Sequence, residues 1–119
     1  MARDAEKTIS VLLRKAPFDT VRNADALRMS LGLTLRDDKV QVIFLEDGVY
    51  TLLKTSPEAI GSAPVARHIE TLQSLDCPLV VERESLEERG LGQLSLPVEI
   101  KTRAEIAGLL AQSHIVISY

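Results

Sequence analysis

Val40-Gln41-Val42-Ile43-Phe44-Leu45 runs directly into Glu46-Asp47-Gly48-Val49-Tyr50-Thr51-Leu52-Leu53. The first six residues are almost continuously apolar and β-branched, which is the pattern of a buried strand in a parallel sheet. Asp47 and Gly48 end it as a turn pair, with glycine supplying the backbone freedom that an abrupt strand exit demands. Val49, Leu52 and Leu53 then suit a short helix against the sheet edge or a neighbouring subunit, with Val49, Tyr50 and Leu53 exposed toward it.

The same grammar extends in both directions. Upstream, Thr8 to Leu13 is an aliphatic first strand, and Thr20 caps a helix that sets Ala24, Leu27 and Leu31 on one face. Asp37-Asp38 interrupts before the second strand. Downstream, Ser56 to Ala63 reads as a loop, and Pro64 opens a helix that buries Val65, Ile69 and Leu72. Cys77-Pro78 ends that crossover and Leu79-Val80-Val81 is a third strand. Ser85-Leu86-Glu87-Glu88 has a capping-box pattern for a short helix closed by Gly90. Pro97 to Ile100 is a weaker fourth strand. Thr102-Arg103-Ala104-Glu105 is a second capping box, for a helix burying Ile106, Leu109 and Leu110. His114 to Ser118 is a fifth strand of the kind covered on both faces.

Strands and helices alternating at this spacing predict right-handed crossovers and a three-layer α/β/α sandwich on a five-stranded, mostly parallel sheet. Residues 1–7 read as a flexible tail and residues 8–119 as a single domain.

The 119 residues suffice for one core stable without metal or disulfides. With 14 Lys and Arg against 17 Asp and Glu, and no basic run to track phosphates, nucleic acid is not an expected partner. No apolar stretch approaches the roughly 20 residues of a membrane span, and the charged N-terminus lacks the apolar centre of a signal peptide. A cytoplasmic, soluble protein is expected. A lone cysteine and two histidines make poor metal ligands, so neither metal nor cofactor is expected.

In an open parallel sheet, chemistry gathers beyond the carboxyl ends of the strands. The loops there are Lys15 to Thr20, Glu46 to Tyr50 and Glu82 to Ser85, with Tyr119 beside them. None has the glycine spacing of a nucleotide site. His68 and His114 lack the neighbours of a catalytic triad and read as surface or packing residues.

Arg14-Lys15-Ala16-Pro17-Phe18 after the first strand, Phe44 to Leu53 around the Asp-Gly-Val-aromatic turn, and Glu84-Ser85-Leu86-Glu87-Glu88-Arg89-Gly90-Leu91 together resemble the DsrE/DsrF/DsrH family and its TusBCD relatives. The likeness is strongest to the DsrF/TusC branch. It implies a five-stranded parallel sheet, assembly as a dimer, trimer or hexamer with itself or with related subunits, and a role handing sulfane sulfur between relay proteins. It also implies that the Asp47-Gly48 turn lies near subunit contacts. In the family's catalytic branch a cysteine stands near the end of the third strand, before the short helix that closes with Arg-Gly. Counting back from Arg89-Gly90, that place is Glu82, and a carboxylate carries no persulfide.

Cys77 is the weak substitute. It precedes Pro78 at the amino end of the third strand, about 15 Å from the rim, where a packing thiol is the simpler reading. Glu82, Arg83 and Glu84 are either a solvated strand end or a retained site in which Glu82 supplies the charge a thiolate supplies elsewhere. The expected rim is thus Lys15, Phe18, Asp47, Gly48, Tyr50, Glu82, Arg83 and Ser85. Three functions compete: a non-catalytic scaffold or docking subunit, a sulfurtransferase using Cys77, and an oligomer binding a small ligand over an apolar pocket at the rim.

Overall fold

A computed structural model describes residues 7–14, 22–34, 39–52, 69–91 and 98–119. The expectations placed on Thr20, Asp37-Asp38, Leu53, the 56–63 loop, Pro64, Val65, His68 and Pro97 lie outside the described residues, as does the side chain of Ala24.

Chain order is β1 (Thr8–Leu13), α1 (Arg22–Thr34), β2 (Lys39–Phe44), a 3-10 helix (Glu46–Leu52), α2 (described over 69–74), β3 (Leu79–Glu82), α3 (Arg83–Glu88), β4 (Glu99–Lys101), α4 (Arg103–Gln112) and β5 (Ile115–Ser118). The strands form one sheet in the order β4-β3-β2-β1-β5, every neighbouring pair parallel. The five-stranded parallel α/β architecture read from the sequence is the observed one.

Strand order and handedness divide the core. The steps from β1 through β4 all move one way along the sheet, so right-handed crossovers put α1, α2 and α3 on one side. The step from β4 to β5 returns across the whole sheet and puts α4 on the other. Two buried clusters follow. Val11, Leu13, Val42, Phe44 and Val81 meet Leu27, Leu72 and Leu86 on the first side, while Leu12, Ile43 and Val80 meet Ile106 on the second. Strand residues therefore alternate between two covered faces, which is why β2 reads as continuously apolar.

Four expectations need correction. The 3-10 helix does not present Val49 outward: Val49 and Leu52 are fully buried in the larger core, and Tyr50 is half-buried. Gly48 does not supply a left-handed turn; the positive φ at this strand exit belongs to Glu46, at 51°. Gly48 is required by space, because a Cβ there would lie 1.9 Å from the Leu13 carbonyl oxygen.

Ser85 does not cap α3. The helix starts at Arg83 directly off β3, with Glu82 at the N-cap, so Ser85 falls one turn inside and is buried. The closure at Gly90 is as read: φ is +65°, the Leu91 N–H reaches the Leu86 carbonyl at 2.9 Å and the Gly90 N–H reaches Glu87 at 3.1 Å, a Schellman ending.

Finally, β5 is not covered on both faces. It is an edge strand pairing only β1, and Ile115 and Val116 are 39% and 44% exposed. The capping box at the start of α4 is present, with the Thr102 hydroxyl accepting from the Glu105 N–H at 3.2 Å and the Glu105 carboxylate accepting from the Thr102 N–H at 2.8 Å. No described helix is long and apolar enough to cross a membrane.

Candidate functional site at the strand carboxyl ends

The carboxyl end of β3 is where the sheet brings distant segments together. Glu82 is the last residue of β3 and, by the strand's alternation, faces the α4 side with Val80. β4 pairs beside it in register Glu82↔Lys101, so α4 begins two residues after Glu82's cross-strand neighbour. That register delivers Arg103, the first residue of α4, to the Glu82 carboxylate.

The meeting is bidentate. Arg103 Nε donates to Glu82 Oε2 at 3.0 Å and its Nη2 donates to Oε1 at 3.1 Å. The Ser85 hydroxyl donates to Glu82 Oε1 and accepts from the Glu46 N–H at 2.8 Å, joining α3 to the exit of β2. Glu84 accepts from the Arg103 N–H at 2.8 Å. Glu82 is 5% exposed, so it is not a solvated strand end. Burial works to raise its carboxyl, but the hydrogen bonds from Arg103 and Ser85 and the charges of Arg103 and Arg89 outweigh this and hold it below the usual carboxylate range. The same pairing raises Arg103 further above its already high value.

A second arginine spans the rim. Arg89 Nε donates to Asp47 Oδ1 at 3.0 Å and its Nη1 donates to the Ser85 carbonyl at 3.2 Å. Together these groups border an open, mostly polar cleft lined by Arg14, Leu45, Glu46, Asp47, Glu82, Glu88, Arg89 and Arg103. Of the expected rim, the fold therefore brings together Asp47, Glu82 and, through its hydroxyl, Ser85. Gly48 lies buried in the adjoining turn and Tyr50 half-buried beyond it. Arg83 is exposed and outside the cleft, its charge acting instead on Glu105. Lys15 and Phe18 lie outside the described residues.

The expected rim does not include Arg103 and Arg89. In the sequence Arg103 belongs to a capping box and Arg89 to a helix ending; the β3–β4 pairing brings Arg103 to Glu82, and the end of α3 beside the exit of β2 brings Arg89 to Asp47.

Cys77 sits at the other pole. It follows α2, precedes β3, and is buried, its Sγ donating to the Val40 carbonyl at 3.1 Å. Burial pushes the thiol up to about 11, against a smaller opposing pull from a Thr34 hydrogen bond. It borders a separate cleft with Thr34, Gln41 and Pro78 that shares no residue with the rim cleft. Among the described residues, no group of three or more His, Cys, Asp and Glu is placed to hold a metal.

Chemically, Glu82 is a fixed anion. Both oxygens are engaged by donors and its proton affinity is lowered, which disqualifies it as a general base near neutrality.

An open parallel sheet with, among the described residues, α1, α2 and α3 on one face, α4 on the other and a charged rim past the strand ends defines a small α/β domain of the sandwich class. The chain belongs to the DsrE/DsrF-like family, whose model matches residues 7–119. It is 31% identical to the intracellular sulfur oxidation protein DsrF of Allochromatium vinosum, the match covering 95% of this chain and 96% of that one. It is 27% identical to protein TusC of Buchnera aphidicola, covering 95% and 99%. The crystal structure of the ychN protein from E. coli superimposes with a TM-score of 0.82 at 20% identity, covering 96% of this chain and 99% of that one, and so shares the fold.

Proposed function

We propose that this chain is an intracellular, cytoplasmic sulfur-relay subunit of the DsrF/TusC kind that works as an oligomeric scaffold or docking component and carries no persulfide itself. The observation that carries this reading is the state of residue 82. By the family resemblance, the catalytic branch holds a cysteine at the end of the third strand, and this chain holds there a buried carboxylate tied by both oxygens to Arg103.

The relatives' names supply the pathway: one is a sulfur oxidation protein and the other is TusC. The rival carrier, Cys77, is a buried thiol whose raised pKa leaves it protonated at neutral pH, which favours packing over nucleophilic transfer. The small-ligand reading is weakened by the mostly polar, open character of the rim cleft, since ligand sites are largely apolar and enclosed. The exposed charges there, Asp47 and Glu88 beside Arg89 and Arg103, suit instead a protein surface recognised by charge.

The test is sedimentation of the purified chain mixed with a cysteine-bearing subunit of the same family from the same cell. Co-sedimentation that weakens about tenfold in Asp47→Lys supports the docking role. Independent sedimentation of the two proteins at micromolar concentration overturns it.

A further inference from the structure

Gln41, on β2, carries an amide that the fold orients and leaves half used. Its Nε2 donates to Ser10 Oγ at 2.9 Å. Ser10 Oγ also meets the Ser113 hydroxyl, and Ser113 gives its proton to the Leu109 carbonyl at 2.9 Å. Ser10 therefore donates to Ser113 and must accept from Gln41, which fixes the amide with its nitrogen toward Ser10. The oxygen is the free end: no described residue donates to Gln41 Oε1.

That side chain lines the cleft at the amino pole, a space of about 380 Å³ walled by Val40, Leu75, Pro78 and the Cys77 thiol, which burial keeps protonated. Leu75 is 40% exposed, so an aliphatic side chain meets water at the cleft. The wall it belongs to is fixed. α2 closes in a Schellman ending, with Asp76 at φ 60°, the Cys77 N–H on the Leu72 carbonyl and the Asp76 N–H on the Gln73 carbonyl, both at 3.0 Å. Lys39 and Asp76 border the same space with one charge of each sign, which favours neither an anion nor a cation.

We propose that this cleft binds a small uncharged molecule, apolar in bulk and carrying one N–H or O–H donor that Gln41 Oε1 accepts. Small-molecule sites are mostly apolar clefts of roughly 300–1,000 Å³ with a few placed polar groups, and this space is of that kind. Such a ligand covers Leu75 and gives the oriented amide its missing donor. The rim cleft shares no residue with this one, so the site is independent of the docking and persulfide questions.

The probes are p-cresol and toluene, the same methylated ring with and without a hydroxyl. Each is titrated into the nitrogen-15-labelled chain and followed by amide shifts in NMR. In the parent, p-cresol is expected to saturate at about millimolar concentration or below, moving the amides of Gln41, Leu75 and Cys77 and leaving those of Glu82, Arg89 and Arg103 in place. Gln41→Met keeps the length of the side chain and removes the acceptor. It should weaken p-cresol about tenfold without weakening toluene. If that variant does not fold, p-methylanisole, which keeps the oxygen and lacks its proton, replaces it as the test and should bind the parent about tenfold more weakly than p-cresol. A parent without saturable shifts, or with shifts centred on the rim, overturns the proposal. So does a Gln41→Met protein that loses both ligands equally or loses neither, or p-methylanisole binding as tightly as p-cresol.

Discussion

Glu82, the last residue of β3, and Arg103, the first of α4, face each other through two parallel hydrogen bonds of 3.0 and 3.1 Å. They are 21 residues apart in sequence. The pair joins a buried partner to a largely exposed one, the Glu82 side chain being 6% and the Arg103 side chain 58% accessible. Its consequence is therefore asymmetric. Arg103 freed from Glu82 is solvated by water, whereas Glu82 freed from Arg103 is a buried anion left with the Ser85 hydroxyl and the more distant charge of Arg89.

Arg103→Met should accordingly destabilise the domain in a pH-dependent way. Glu82 has a depressed carboxyl in the folded chain, so its contribution is present above the ordinary carboxylate range and is lost as pH falls through the depressed value. Removing Arg103 takes away the largest of the interactions that lower it, and burial then works against the charge with less to oppose it. Thermal unfolding should show the largest gap between parent and variant at neutral pH, closing as the solution is acidified below that range. Glu105, also depressed through the Thr102 cap, is present in both proteins and cancels in the difference. A gap that is constant with pH would deny Glu82 its charge.

Cys77 should be slow to alkylate in the native protein. A thiol near 11 against roughly 8.5 in an unfolded chain holds at least about 100-fold less thiolate at neutral pH, before burial limits access. Iodoacetamide labelling followed by mass spectrometry should therefore track global unfolding. Rapid labelling of the folded protein would contradict the buried placement.

Gly48→Ala should cost about 3 kcal/mol or prevent folding. The added Cβ would stand 1.9 Å from the Leu13 carbonyl oxygen, which is itself fixed by accepting the Leu45 N–H at 3.0 Å. Urea titration checks this, and an alanine variant as stable as the parent would show that β1 and the turn can separate without penalty.

The order of strands and helices was legible because β1, β2 and β3 are buried on both faces and so spell themselves as aliphatic runs such as Val40 to Leu45. The end of α4's preceding loop was legible for a local reason, the Thr102 and Glu105 cap. Misreadings arose where a residue type serves two geometries. Gly48 reads as a source of backbone freedom, whereas close contact with Leu13 is what excludes a side chain. Ser85 reads as a cap, whereas α3 leaves β3 without a loop and pulls the hydroxyl inside. The aliphatic run of β5 looks like a covered strand because sequence records composition, whereas its edge position depends on strand order.

For the site, Glu82 and Asp47 were readable and Arg103 and Arg89 were not. The acidic partners lie at strand ends that the sequence announces. The arginines reach them only through the β3–β4 register and the α3 ending, which are relations between segments and leave no trace in either segment alone.

On the proposed function, a locked carboxylate stands at the end of β3 where the family's catalytic branch holds its cysteine, and Cys77 does not replace that cysteine. Incubation of the native chain with a low-molecular-weight persulfide donor, followed by intact-protein and peptide mass spectrometry, addresses this directly, with Cys77→Ser as the control for adventitious sulfur. Neither the parent nor the control is expected to gain the mass of a sulfur atom over its own untreated form. A parent that gains one sulfur atom on Cys77 while folded, and passes it to an acceptor thiol, would contradict it.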